Sequence, residues 1–197
     1  MTDHRKHAVI ERHRDINVNY DWWDCTHGDF RAICKRMGID LDKHEPSFSG
    51  FWSQGDGASF TGTFIGDVAD TAPQTIREYA PADKELHRIA DELCMLGRIY
   101  YRAHANIDRP YGTHYCHQYT MHVTSCEPYD GDPDDWVEEV HTALEEGLQG
   151  LFRDLAGWLY STLEREYDHL TSDEVVWDTI VANEMYKEDE DEDGMAA

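Results

Sequence analysis

The chain of 197 residues carries 41 Asp and Glu against 17 Lys and Arg, a formal net charge of −24, with 40% hydrophobic and 12% aromatic residues. That much apolar material builds a packed core and excludes wholesale disorder, while so negative a surface excludes ordinary electrostatic binding to DNA, RNA or anionic lipid. No apolar run approaches the ~20 residues of a membrane span, and no apolar stretch follows the basic N-terminal residues as a secretory leader would. Five cysteines without a CxxC pair, Cys25, Cys34, Cys94, Cys116 and Cys126, predict a reduced, cytoplasmic protein.

The charge is lopsided. Residues 1–107 hold 17 acids and 13 bases, a net of −4, whereas residues 108–197 hold 24 acids and 4 bases, a net of −20. The run from Lys187 to Gly194 has nothing to bury, so 187–197 is expected to be a disordered acidic tail on a single domain of residues 1–186.

In chain order, Ile16 to Tyr20 alternates apolar and polar residues as a half-buried strand does. Asp24 to Met37 reads as a short helix stopped by Gly38. The clearest β signal is Ser47 to Phe64, two strands flanking Gly55-Asp56-Gly57, where glycines supply the positive φ of a tight hairpin. Pro81 suits the first position of a helix reaching Arg102. Gly112 to Cys126 alternates again, with Tyr115, His117, Tyr119, Met121 and Val123 on one side, and predicts a strand beside the hairpin. Asp132 and Pro133 open the longest helix, to about Tyr167, with a stripe through Val137, Val140, Leu144, Leu148, Leu151, Leu155 and Leu163. Thr171 to Glu174 reads as a capping box for a last helix ending near Tyr186. The expected class is α+β: a small antiparallel sheet, with helices segregated toward the C-terminal half.

Motifs for chemistry are sparse. His114, Cys116 and His122 would share one strand face, but a structural zinc needs four tetrahedral ligands, so exposed strand histidines are the simpler reading and no metal or cofactor is expected. Asp130 to Asp135 begins like a calcium loop and then fails, with Asp135 where Gly is needed and His141 where a bidentate Glu belongs. The chain has no P-loop, dinucleotide fingerprint, nucleophile elbow or HExxH.

Two features remain as candidate partner-binding surfaces. Trp52, Gln54 and Asp56 combine an aromatic anchor with directional hydrogen-bonding groups, although a Trp in this position can equally be core. Asp134, Asp135, Glu138, Glu139, Glu145, Glu146 and Asp154 form an acidic face opposite the leucine stripe, with few Lys to neutralise it. Such a face can occupy a basic nucleic-acid groove on another protein.

Three stretches carry a family resemblance. Asp15 to Trp23, Phe48 to Gly62 and Leu163 to Glu174 together resemble a set of small acidic proteins encoded by phages, prophages and mobile elements, commonly labelled "antitoxin of toxin–antitoxin stability system". The likeness spans roughly residues 15–186, and its middle motif is the most distinctive for its length. It implies a phage or mobile-element setting inside a bacterial cell and brings no cofactor or catalytic residue with it. The expectation is a non-enzymatic accessory protein that binds and inhibits a host protein with a basic groove, a defence or nucleic-acid-processing factor, in the manner of an anti-CRISPR. No direct contact with nucleic acid or membrane is expected, and a homodimer is compatible with the reading. The alternatives are an antitoxin that sequesters a toxin, and a small enzyme with a site near Trp52, Gln54 and Asp56 completed by His114 or His122.

Overall fold

The structure, a computed structural model, describes residues 2–100, 103–110, 116–126 and 138–187. The chain packs as two compact units, one of residues 26–161 and one made from its two ends, up to residue 25 and beyond 161. The elements in order are α1 (Asp3–Arg12), α2 (Asp24–Arg36), β1 (Ile39–Leu41), β2 (Ser47–Ser49), β3 (Gly57–Ser59), β4 (Gly62–Ile65), α3 (Gly66–Ala69) and α4 (Ala72–Tyr79). There follow α5 (Lys84–Ile99), β5 (His104–Asp108), β6 (His122–Cys126), α6 (Glu138–Leu170) and α7 (Asp173–Ala182). All the strands come before α6, and the described chain beyond them is helical, so the class is α+β.

In the larger unit a four-stranded antiparallel sheet runs β1-β4-β5-β6, and β2 pairs with β3 as a separate ribbon. Register sets Ile39 opposite Phe64, Phe64 opposite Ala105, and Ile107 between Gly62 and Val123. These inward positions are buried, while Asp40, Asn106 and Thr124 between them face out, the period-2 pattern of a half-covered sheet. Leu144, Leu148, Leu151, Phe152, Leu155 and Leu159 of α6 are buried. Phe152 meets Phe60 and Phe64 at ring centroids 6.0 and 5.7 Å apart, and Phe60 meets Phe30 of α2 at 5.4 Å. Edge-to-face aromatic packing of this kind adds to simple area burial. Asp83 caps α5 by accepting from the Leu86 N–H at 3.0 Å, and its other oxygen accepts from the Trp158 indole at 2.8 Å, which ties the start of α5 to α6.

The outer side of β6 is not left bare. The Val123 N–H donates to Gln149 Oε1 at 3.2 Å and the Ser125 N–H to Glu145 Oε1 at 2.8 Å, both acceptors on α6.

The terminal unit is built on α1 and α7, with Val9, Ile10, Val176 and Ile180 buried together. Arg14 donates to the Thr171 carbonyl at 2.9 Å and pairs with Asp173 and Glu11. Asn17 donates to the Leu170 carbonyl at 3.0 Å and accepts from Thr179 Oγ1 at 2.9 Å. No helix among the described residues is long and apolar enough to cross a membrane.

Several sequence expectations are corrected. Ile16 to Tyr20 is a run of turns, closed by Ile16 and Val18 N–H groups donating to His13 and Asp15, and the buried residue in it is the polar Asn17. The expected 47–64 hairpin divides: β3 leaves β2 after Ser59, and β4 pairs instead with β1 and β5. A Cβ at Gly62 would lie 2.2 Å from the Asp40 carbonyl, so only glycine admits that approach. Pro81 precedes the helix that Asp83 caps. Of the strand expected over 112–126, residues 122–126 form β6, whereas Gln118–Thr120 closes a 3-10 turn that His117 caps by accepting from the Tyr119 N–H, and 112–115 lie outside the described residues. At α7 the cap is Ser172, accepting from Val175 N–H, so Glu174 sits one position short of a capping box. Asp132, Pro133 and Val137, the 130–135 run, His114 and the acidic tail from Glu188 lie outside the described residues.

Candidate functional site

α6 turns about 100° per residue. With its leucines set against the core, Glu138, Glu139, Thr142, Ala143 and Glu146 point away and line an open cavity of about 730 Å³. The three glutamates make no ion pair among the described residues. Glu138 and Glu139 gain from the positive end of the helix, whereas Glu146, two turns in, has no such support.

The other acids read from the sequence divide. Glu145 lies one turn from His141 on the side facing the sheet, where its carboxylate accepts from both the N–H and Oγ of Ser125. It is a structural acceptor and not part of the exposed row. Asp154 pairs with Arg88 of α5 at 2.6 Å. Asp134 and Asp135 lie outside the described residues.

The loop between β2 and β3 has its own logic. Asp56 accepts from the Ser53 N–H at 2.6 Å, and its own N–H donates to the Ser53 carbonyl at 3.1 Å, so its carboxylate closes the loop. Phe51 anchors the loop between Phe48, at 5.9 Å, and Tyr160 of α6, at 5.5 Å. Trp52 is then held with φ +70 and is 70% exposed, and Gln54 is exposed beside it. A bulky residue in the left-handed region costs of order 1–3 kcal/mol, and such strain gathers where a side chain must be displayed. Trp22, by contrast, is buried.

Sequence reasoning missed a neighbour of this loop. Tyr119, expected on a strand on the same side as Met121 and Val123, is 65% exposed on the 3-10 turn. Its ring stacks on His117 at 5.3 Å and 21°, and the Arg153 guanidinium lies 5.1 Å from it. Extending the acidic row along α6 by steps of three and four passes from Glu146 through Arg153 to Tyr160, a periodicity present in the sequence.

A second missed feature is buried. Glu45, 7% exposed, pairs with Arg109, which also donates to Ser59 Oγ at 3.0 Å, and Ser47 Oγ donates to Glu45 at 3.3 Å. Burial raises the Glu45 carboxyl above its ordinary range, opposed by the Arg109 charge. The residues are 64 apart, with no local signal linking them.

Two further cavities contain neither loop nor acidic row. One of about 600 Å³ has Pro73, Cys94, Met95, Ile99 and the Arg98–Asp70 pair in its walls; another of about 480 Å³, in the terminal unit, has Lys6 over the Trp177 ring. None of these three cavities includes Trp52, Gln54 or Asp56. Cys116 is half-buried and His122 exposed, and no cluster of three metal-binding side chains occurs among the described residues.

These features define an acidic α+β protein with a displayed aromatic loop. Residues 22–173 match the model of a family described as a domain of unknown function, DUF8835, and the chain belongs to that family. The match takes in the loop and the whole of α6 and leaves out α1. No curated protein and no solved structure matches the chain.

Proposed function

We propose that this protein is a non-enzymatic binding protein whose acidic α6 face docks on a basic groove of a partner protein and blocks it. The observation that carries the reading is the row Glu138, Glu139 and Glu146, exposed and without a cationic partner among the described residues. Carboxylates crowded on one face repel one another, and a cationic groove relieves that repulsion while releasing counterions on both sides. The proposed setting is that of the family resemblance: the cytoplasm of a bacterial cell, a protein encoded by a phage or mobile element, and a host defence or nucleic-acid-processing factor as the target.

The test is retention of host proteins on the immobilised full chain, washed at rising salt. A basic protein that leaves steeply with salt, and that a Glu138→Gln, Glu139→Gln, Glu146→Gln variant holds weakly and with a flatter salt response, is the expected result. Retention that ignores both salt and the triple substitution overturns the reading, and a small partner held in high salt would point to an antitoxin instead.

A further inference from the structure

The two most exposed large apolar side chains among the described residues are Trp52 and Tyr119, at 70% and 65%. Their supports meet on one stripe of α6. Tyr119 covers Arg153, the loop carrying Trp52 is pinned through Phe51 to Tyr160, and Gly157, between those two contacts, faces Gln118. The residue that caps the 3-10 turn also lies against the start of β3, where the loop ends, since a Cβ at Gly57 would fall 2.8 Å from the His117 ring. Glu139, Glu146, Arg153, Gly157 and Tyr160 follow at intervals of seven, seven, four and three residues, so acids and aromatics share one side of the helix. From Glu139 to Tyr160 that side is ~32 Å long.

We infer that this stripe is a single docking surface whose partner is a groove that binds single-stranded nucleic acid, with Trp52 and Tyr119 taking the stacking positions of bases and the glutamates those of phosphates. The inference rests on the acidic-surface reading above and narrows it. Grooves for single strands combine a basic track with aromatic platforms on which successive bases stack, and both halves of that requirement are met here. A duplex-binding surface reads phosphates and groove edges and offers nothing for two protruding rings to stack on. The backbone at Trp52 supports the same assignment. A positive φ is kept at a residue whose indole is exposed while Phe51, one residue earlier, packs on Tyr160, and Gln54 adds an amide with donor and acceptor edges like those of a base.

The experiment uses the full chain on a column with its salt-labile partner bound, challenged with ~20-nucleotide oligothymidylate or with a duplex of similar length, compared per phosphate. Release by the single strand at a concentration about tenfold lower than the duplex is expected, because stacking adds roughly a decade of affinity per ring. Trp52→Gly and Tyr119→Ser should each lower retention about tenfold and leave its salt dependence in place. Glycine relieves the strained φ, so Trp52→Gly folds, and a melting temperature no lower than the parent's checks that. Equal release by duplex, or full retention by both variants, overturns the single-strand assignment and leaves the acidic-surface reading standing. Retention indifferent to salt and to Glu138→Gln, Glu139→Gln, Glu146→Gln overturns that reading and this inference with it.

Discussion

α5 and α6 both carry many acids and treat them in opposite ways. Around α5 the acids have arginine partners: Arg88 bridges Glu85, Glu92 and Asp154 at 2.6, 2.9 and 2.6 Å, Arg77 holds Asp91 at 2.7 Å, and Arg98 holds Asp70 at 2.6 Å. Hydrogen bonds from these guanidinium groups keep the Glu85, Asp91 and Asp70 carboxyls below the usual range. At the start of α6 the same residue type stands exposed with no ion pair among the described residues. Around α5 the charge is compensated in place, whereas at the start of α6 three carboxylates stand together without such compensation.

The largest contrast lies across α6 itself. Phe152→Ala, on the buried side, should lower unfolding free energy by about 3–5 kcal/mol in urea titration, because it deletes a ring that packs against Phe60 and Phe64. Next comes Arg109→Met, which strands a buried carboxylate and should cost about 3 kcal/mol at neutral pH. The sign with pH follows from Glu45, whose folded-state carboxyl titrates above its ordinary value. Its contribution to stability is present in acid and is lost as pH rises through the folded value. Removing Arg109 raises that value further, so the difference between variant and parent should shrink toward about pH 4, read from urea midpoints at the two pH values.

Smaller effects sharpen the comparison of the two helices. Arg88→Met should cost about 1 kcal/mol or less, most of it gone in ~0.5 M salt, as thermal melts would record. The smallest shift is expected for Glu138→Gln, Glu139→Gln, Glu146→Gln. Relief of repulsion and the lost helix-end support at 138 and 139 oppose one another, so the melting temperature should stay nearly unchanged at low salt. A marked loss of stability there would mean that these glutamates are paired as those of α5 are.

Periodic features were legible in the sequence. α2 and its stop at Gly38, where a Cβ would sit 2.6 Å from the Ile65 carbonyl, the leucine stripe of α6 and the outward alternation of β6 all follow from local spacing. What local spacing does not hold is pairing between distant segments. β4 reads as the continuation of β3 until β1 and β5 are known to flank it, and β5 itself offers only Ala105 and Ile107 as buried residues. For the candidate site the acidic row is legible from residue type, but only helical phase separates Glu145, turned toward Ser125, from Glu138, Glu139 and Glu146. Tyr119 was hidden by an alternation that ends where the 3-10 turn begins.

The contacts along β6 have a consequence for self-association. Side-chain oxygens of Glu145 and Gln149 stand where the carbonyls of a further strand would be, so the sheet is hemmed and not merely ended. An unprotected edge is a template for other chains, and here it is closed by a helix the protein needs in any case. Strand addition at the β6 edge is thereby blocked. The worth of Glu145 is then measured in freedom from aggregation, a property of the protein alone and not of any complex it forms.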